Sequence, residues 1–155
     1  MKTWKAGSGV TKINTHQLVM LVVPAPNSQA ATATAVWTLP EGIWWKVRQV
    51  RTNLDATNAT AAVDVNVIAT KTGFPGYKVG LATTLAALTF DGIITFGVSL
   101  VAYQSVPVGT VNAALPDVWL PPGTIVTLTA TTGAGFCVLQ QCIITCEGGE
   151  LVADE

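Results

Sequence analysis

Short runs of β-branched and aromatic residues recur along most of the chain, and residues that favour turns separate them. Such runs are typical of β-strands, and a succession of short strands is typical of a sandwich or a barrel. The sequence therefore predicts an all-β fold. The clearest runs are HQLVMLVV (16–23), TAVWTL (34–39), IWWKVRQVRT (43–52), AAVDVNVIA (61–69), DGIITFGVSLVAYQ (91–104), DVWL (117–120), TIVTLTAT (124–131) and FCVLQQCIITC (136–146).

Two of these runs alternate between apolar and polar residues. Successive side chains of a strand point to opposite faces, so alternation indicates one face in the core and the other towards solvent or a neighbouring molecule. The opposed sets are Val63, Val65 and Val67 against Asp64 and Asn66, and Ile43, Trp45 and Val47 against Trp44, Lys46 and Arg48.

Two corners of similar sequence interrupt the runs, VWTLPEGIWWKV (36–47) and VWLPPGTIVTL (118–128). Pro122 followed by Gly123 suits a type II turn, because proline presets φ and glycine accepts a positive φ at the next position. Pro121 lacks a backbone donor, so DVWL is predicted to be an edge strand or a strand end. The prolines are therefore structural and do not mark an active site.

Two segments are less defined. Residues 79–90, VGLATTLAALTF, carry alanine and leucine at about helical spacing, so they are predicted as either a strand or a short helix. Residues 71–80, KTGFPGYKVG, are rich in glycine and lysine but lack the spacing of a phosphate-binding loop. We predict a mobile hairpin loop there.

The composition points to a chain that covers its exterior with other protein. Its 155 residues fit one domain, yet only 11% of them are charged, against about 25% in typical soluble proteins. The longest uncharged stretch, 92–116, contains too many glycine and polar residues for a bilayer-spanning helix. The apolar stretch 18–23 is too short for a secretory signal. We therefore expect a subunit of an assembly, with no membrane partner.

The three cysteines fall within one predicted strand. Cys142 and Cys146 would share a face but lie about 13 Å apart, beyond the roughly 7 Å that a disulfide allows. Cys137 completes the set, and the only histidine, His16, is distant in sequence. We therefore expect buried, reduced thiols in a protein made in cytoplasm, without a metal or another cofactor.

The termini differ from the middle of the chain. Residues 1–14 carry lysines and a Gly-Ser-Gly break without an apolar pattern, so we predict an N-terminal arm, followed by a β-sandwich domain at 15–146 and an acidic tail at 147–155. Trp4, flanked by Lys2 and Lys5, is expected to insert into a groove on another protein.

Charge is also divided along the chain. Every lysine and arginine lies at or before Lys78, whereas six acidic residues follow it. Either folding mixes the two halves in space, or Lys2, Lys5 and Lys12 reach an acidic surface on another protein or the acidic tail of a neighbouring copy. The sequence leaves both alternatives open.

The corners carry a family resemblance. A strand that ends in Leu-Pro-x-Gly and restarts with alternating valine and threonine, together with the Ala, Thr and Val richness and the basic arm, resembles the small jelly-roll proteins of tailed-phage heads, the decoration or cement proteins. The resemblance covers residues 15–146 as a pattern. It implies a jelly-roll-like antiparallel β-sandwich with an extended N-terminal arm.

The resemblance also implies a function and partners. Decoration proteins sit on the outside of the capsid, commonly as homotrimers, and clamp neighbouring copies of the major capsid protein. We accordingly expect a virion protein on the outer head surface, made in the host cytoplasm, with Lys2, Trp4, Lys5 and Lys12 at the capsid contact. Trp44, Trp119 and Phe136 are expected at packing or subunit contacts.

Other functions are less well supported by the residues. The alternative is a receptor- or glycan-binding module of a tail fibre or spike, with tryptophans stacked on sugar rings. Catalysis is not expected, because one histidine without an evident acidic partner supports neither a catalytic triad nor a metal site. Nucleic acid is not expected either, since the net charge is −1 and the basic residues are scattered.

Overall fold

The computed structural model describes the backbone of residues 3–6, 11–81, 84–86, 88–100, 103–104 and 108–153, and side chains within those ranges from 19 to 150, apart from 103–104 and 108. The described part contains strands and turns. The strands are β1 Thr3–Ala6, β2 Thr11–Ala25, β3 Ser28–Ala30, β4 Thr32–Thr38, β5 Trp44–Asp55, β6 Val63–Lys71, β7 Phe74–Gly80, β8 Asp91–Val98, β9 Tyr103–Gln104, β10 Val108–Leu115, β11 Ile125–Thr132 and β12 Cys137–Ala153.

Two sheets pack as a sandwich. The larger sheet has the order β1-β2-β12-β5-β8-β10-β9, with β3 also beside β12, and the smaller has the order β4-β11-β6-β7. The neighbours are antiparallel except for β8 and β10, which run parallel from Val108 opposite Asp91 to Leu115 opposite Val98. The predicted fold class, an all-β, jelly-roll-like antiparallel β-sandwich, is confirmed.

The core lies between the two sheets. Val63, Val65 and Val67 are fully buried, as their alternation predicts, and the large side chains Phe96 and Leu128 lie with them. Each fully buried side chain of this size contributes roughly 1.5–3 kcal/mol.

A bulge in β12 sets which of its residues reach the core. Gln141 has a positive φ of 51°, and the pairing with β5 shifts register between Gln140 and Ile143. The extra residue changes the alternation, so that Cys137, Cys142 and Cys146 all face inwards. All three are buried and free, which confirms the predicted buried thiols.

The two similar corners pair with each other. Leu39 donates its N–H to the carbonyl of Thr124 (2.9 Å), and Gly123 donates to the carbonyl of Leu39 (3.1 Å). Gly123 has a φ of 74°, and the N–H of Thr124 bonds to the carbonyl of Pro121 at 3.3 Å, which fits the predicted type II turn. DVWL is not a strand; only Leu120 pairs, in an isolated bridge with Trp45.

The two less defined segments take other conformations than predicted. The hairpin at 71–80 is present, but most of it is strand β7, because Lys71 pairs with Phe74 across a tight turn at 72–73. In the segment 79–90, β7 ends at Gly80, and Leu85 forms an isolated bridge with Val63. The remaining described residues from 81 to 90 are neither strand nor helix. Residues 82, 83 and 87 lie outside the described part.

Both predicted terminal segments contain paired strands. Thr3–Ala6 pairs with residues 11–14, and 11–14 pairs on its other side with 150–153. These three segments form the terminal ribbon, which runs past β5, since the pairing of β5 with β12 ends at Gly149 opposite Trp44. The predicted domain limits at 14/15 and 146/147 therefore fall inside β2 and β12, and residues 1–2, 7–10 and 154–155 lie outside the description.

Candidate interaction surfaces

Strand β2 exposes apolar side chains, Met20 and Val22 on one face and Val19 on the other. Val19, Met20 and Val22 are 52%, 58% and 61% exposed; we call these three residues the β2 stripe. Leu21 and Val23 turn towards the core instead. Because LVMLVV is apolar at every position, the strand has no polar face to turn outwards.

The outer face of the smaller sheet is different. Its exposed or half-buried positions are rich in threonine, whose hydroxyl groups are readily solvated. These positions include Thr32, Thr34, Thr38, Thr127, Thr129 and Thr131. Val36 and Ile125 are also exposed on that face, but they lie among threonines there, whereas the β2 stripe lies in a run without a polar residue from 18 to 23.

Much of the outer edge of β2 has no strand beside it. β1 pairs only with residues 11–14, so among the described residues no strand lies along 15–25 on that edge. Two features partly protect its end: Pro24 has no N–H, which suits an edge position, and Trp37 donates its Nε1–H to the carbonyl of Val23 at 3.1 Å. No described residue protects 19–22 in this way.

A cavity of about 230 Å³ opens beside this edge, where β2 of the larger sheet faces β4 of the smaller one. The cavity is mainly apolar, and it leaves this side of the sandwich open between the two sheets. Residues that line it are Leu21, Val23 and Pro26 on one side and Trp37, Leu39 and Pro40 on the other.

A second surface centres on Lys46, whose side chain is only 10% exposed. Its Nζ lies 2.6 Å from Asp117 Oδ1 and 3.6 Å from Glu147 Oε1, and 4.9 Å from the centre of the Trp119 ring. Arg48 Nη1 also contacts Glu147 Oε1, at 3.3 Å. We call these five residues the Lys46 cluster.

The Lys46 cluster joins the basic first half of the sequence to the acidic second half. Lys46 and Arg48 come from β5, Glu147 from β12 and Asp117 from the segment before the second corner. For these residues folding mixes the two halves in space, which is the first of the two alternatives that the charge pattern left open.

The aromatic residues predicted at packing or subunit contacts lie in different environments. Trp119 is 3% exposed and packs with the half-buried Trp44, which in turn meets Phe74 edge to face at 5.7 Å. Phe136 is half-buried. The position of Trp119 fits packing within the chain, and contacts of Trp44 and Phe136 with another copy stay predictions.

The Trp119 indole is an unusual buried group. Its Nε1 has no hydrogen-bond partner among the described residues. An unsatisfied buried donor costs about 1–3 kcal/mol. Trp119 and Trp45 are each only 3% exposed. Neither ring can therefore stack on a sugar in this arrangement.

The residues predicted at the capsid contact lie on or before the terminal ribbon. Trp4 is opposite Ile13 in the register of β1 and β2, and Lys5 is opposite Lys12. Lys12 is also opposite Val152 of β12. The structure thus brings the backbone of Lys5 and Lys12 together; their side chains and Lys2 lie outside the described part.

Ionisable groups in the core are held in their neutral forms. Burial raises the pKa of the Cys146 thiol to about 12, and burial, followed by the proximity of Cys146, raises the pKa of Tyr77. Neutral thiols are weak nucleophiles. Within the described residues no group of three or more His, Cys, Asp or Glu side chains could hold a metal ion, and no helix there is long and apolar enough to cross a membrane.

Comparison with known protein families, curated proteins and solved structures finds no match for this chain.

Sequence reasoning missed two features, the free edge of β2 and the Lys46 cluster. The uninterrupted apolar run LVMLVV indicates that neither face of β2 is polar, since a strand with one solvated face alternates, but it does not indicate a free edge. The second joins segments that are distant in sequence, and no local signal marks it.

Proposed function

We propose that this chain is a virion structural protein that binds the outside of a phage head and stabilises it by bridging copies of the major capsid protein. The proposal keeps the function that the corner sequences LPEG and LPPG imply by resemblance. It includes association with further copies of the chain, a location on the outer head surface and synthesis in the host cytoplasm, and it includes no catalytic activity.

The observation that carries the proposal is the position of the terminal ribbon. Trp4, Lys5 and Lys12, the residues expected to contact the capsid, lie on strands that run past the end of β5. A ribbon that leaves the body of the sandwich can reach a neighbouring protein without disturbing the core. Aromatic anchors beside basic residues are also common at the centre of protein contacts.

The composition agrees with this function. With only 11% charged residues and an apolar stripe on β2, the chain has surface that gains free energy when another protein covers it. A subunit that binds only the intact shell stabilises that shell by mass action. Bridging two shell subunits across a joint would therefore oppose its opening.

Binding to purified heads tests the proposal. Removing residues 1–14 deletes β1 and the paired start of β2 but leaves the sandwich core intact, so the shortened chain is expected to fold and to lose co-sedimentation with heads. A Lys5→Glu/Lys12→Glu variant should bind at least tenfold more weakly, because it reverses two charges at one point of the ribbon.

Lys78→Glu is the matched control, since Lys78 is exposed on β7 in the smaller sheet, and it should bind like the unchanged chain. Unchanged binding by the shortened chain would contradict the proposal. Binding to host cells or their polysaccharide, without binding to heads, would favour the fibre or spike module instead.

A further inference from the structure

The terminal ribbon is joined to the sandwich only through its own two long strands. Among the described residues, β1 pairs with β2 and with no other strand, and the pairing of β5 with β12 ends at Gly149 opposite Trp44. No strand of the sandwich therefore pairs with the ribbon from the side. The connections are residues 15–18 of β2 and the step from Gly149 to Glu150 in β12.

The register of β2 against β12 is broken at this connection. Four residues of β2, 15–18, lie opposite the single residue Gly149. The flanking pairs are Val19 with Gly148 and Asn14 with Glu150. A common β-bulge has one extra residue, whereas this one has three. Because β1 pairs with β2 only as far as Asn14, residues 15–18 have no regular ladder on either edge.

The sandwich is firmly packed up to this point. A Cβ atom at Gly148 would lie 2.5 Å from Ile43 Cδ1 and 2.9 Å from the ring of Trp45, so these side chains pack directly on the Gly148 backbone. Trp45 is itself buried, and it donates its Nε1–H to the carbonyl of Pro40 at 2.9 Å. Gly148 is therefore held in the sandwich, and a movement of the ribbon has to begin beyond it.

We propose that the terminal ribbon is a hinged unit, which turns relative to the sandwich about residues 15–18 of β2 and Gly149 of β12. A hinge consists of a few residues that absorb changes in φ and ψ while the parts on either side stay intact. Residues 15–18 can change conformation without breaking a regular ladder. Gly149, opposite them, has the widest choice of backbone conformation.

The ribbon has enough pairing of its own to turn as one piece. Thr3–Ala6 pairs with 11–14 at four positions, and 11–14 pairs with 150–153 at four more. Turning about the hinge keeps all of these pairs, whereas fraying of the ends would lose them. The ribbon extends about 13 Å from Gly149 to Ala153 at the ordinary rise of a strand, so a turn of about 30° moves its end by about 7 Å.

The hinge has a consequence for contact with a partner. A ribbon of fixed direction meets a neighbouring protein at one angle, whereas a hinged ribbon can meet it at several, which suits a protein that bridges shell subunits. This consequence rests on the proposed function, but the hinge itself is tested with the chain alone. Failure to bind heads would contradict the proposed function without bearing on the hinge.

Distances between pairs of spin labels measure the movement. The native cysteines are buried, so introduced cysteines take the labels. The ribbon pair, Ala153→Cys with Lys78→Cys, joins the end of the ribbon to β7. The reference pair, Arg51→Cys with Lys78→Cys, joins exposed positions on the two sheets. We expect the distance distribution of the ribbon pair to be at least twice as wide; equal widths would overturn the proposal.

Restoring the regular register tests the hinge residues. Deleting residues 15–17 leaves Leu18 alone opposite Gly149 and keeps the registers on both sides of the bulge. Because β2 then pairs continuously with β12, the ribbon pair should become as narrow as the reference pair. The matched control keeps the three extra residues and should stay wide; it is Thr15→Gly/His16→Gly/Gln17→Gly. An unchanged width after the deletion, or equal narrowing in the control, would count against the hinge.

Hydrogen exchange separates a hinged unit from frayed ends, and it needs no variant. In a hinged unit the amides that pair 11–14 with 150–153 stay protected, so they should exchange at least tenfold more slowly than the amides of 15–18. Equal exchange in the two segments would show that the ribbon frays instead of turning as one piece. That result would overturn the proposal even if the deletion variant did not fold.

Discussion

Replacing Lys46 by methionine removes a largely buried charge while keeping much of the side-chain packing against Trp119. Glu147 is then left with Arg48 at 3.3 Å, and its side chain is only 14% exposed. Breaking a buried ion pair from one side costs about 3–5 kcal/mol. Because Arg48 still contacts Glu147, we expect a smaller loss of about 2–3 kcal/mol in the free energy of unfolding.

Urea unfolding followed by tryptophan fluorescence measures this loss. It corresponds to a fall in Tm of about 4–12 °C for a chain of this length. Asp117→Asn should cost less than about 1 kcal/mol, because the Asp117 side chain is 61% exposed. The double variant Lys46→Met/Glu147→Gln should recover part of the loss, since it leaves no buried carboxylate short of a cation.

The reasoning would be refuted if Lys46→Met unfolded at the same urea concentration as the unchanged chain, or if Asp117→Asn were equally destabilising. Either result would mean that the buried carboxylate of Glu147 is not what makes Lys46 important. The slope of the unfolding free energy against urea should stay constant, which shows that the denatured state has not changed.

Two further predictions concern buried groups. Trp119→Phe should cost less than about 1 kcal/mol, because it removes an unsatisfied donor as well as volume, whereas Trp119→Ala should cost about 3–5 kcal/mol; equal losses in urea unfolding would contradict this. Stability should also fall as pH rises above about 9, the ordinary thiol value, towards 12, because folded Cys146 keeps a proton that the unfolded chain has lost. Cys146→Ala should reduce this fall in unfolding measurements between pH about 8 and about 11, to which Tyr77, Cys137 and Cys142, whose pKa values burial also raises, contribute in the unchanged chain; an identical slope would count against it.

Local chemistry accounts for the features that could be predicted from the sequence. The alternation of Val63, Val65 and Val67 predicts their burial because side-chain direction in a strand depends only on position. The turn at Pro122 and Gly123 follows from the φ values that these two residues prefer. Neither prediction requires knowledge of the strand's partners.

Bulges explain where the alternation cannot be followed. Nothing in QQCIITC shows that Gln141 adopts a positive φ, and the register of β12 against β5 shifts again between Thr145 and Cys146. A single extra residue exchanges the two faces of a strand. Whether it is inserted depends on the pairing with β5, which is remote in sequence.

The termini illustrate the same limit for strand formation. Residues 1–14 contain a Gly-Ser-Gly break without a repeating apolar pattern, and residues 147–155 are acidic, so the sequence predicts an arm and a tail. Residues 3–6 pair with 11–14 on one side of β2, and residues 150–153 pair with 11–14 on the other side. This pairing makes both segments extended. The burial of Lys46 likewise depends on Asp117 and Trp119, from a segment that the local pattern around Lys46 does not identify.

The terminal ribbon also determines where the chain can carry an added label. Ala6 and Ala153 lie on either side of Thr11, so a fluorescent protein joined after residue 155 would crowd the strand that carries Trp4. The turn between Gly133 and Ala134 is exposed and lies at the other end of β12, roughly 50 Å away. A short epitope inserted there would report on the protein while leaving the ribbon accessible.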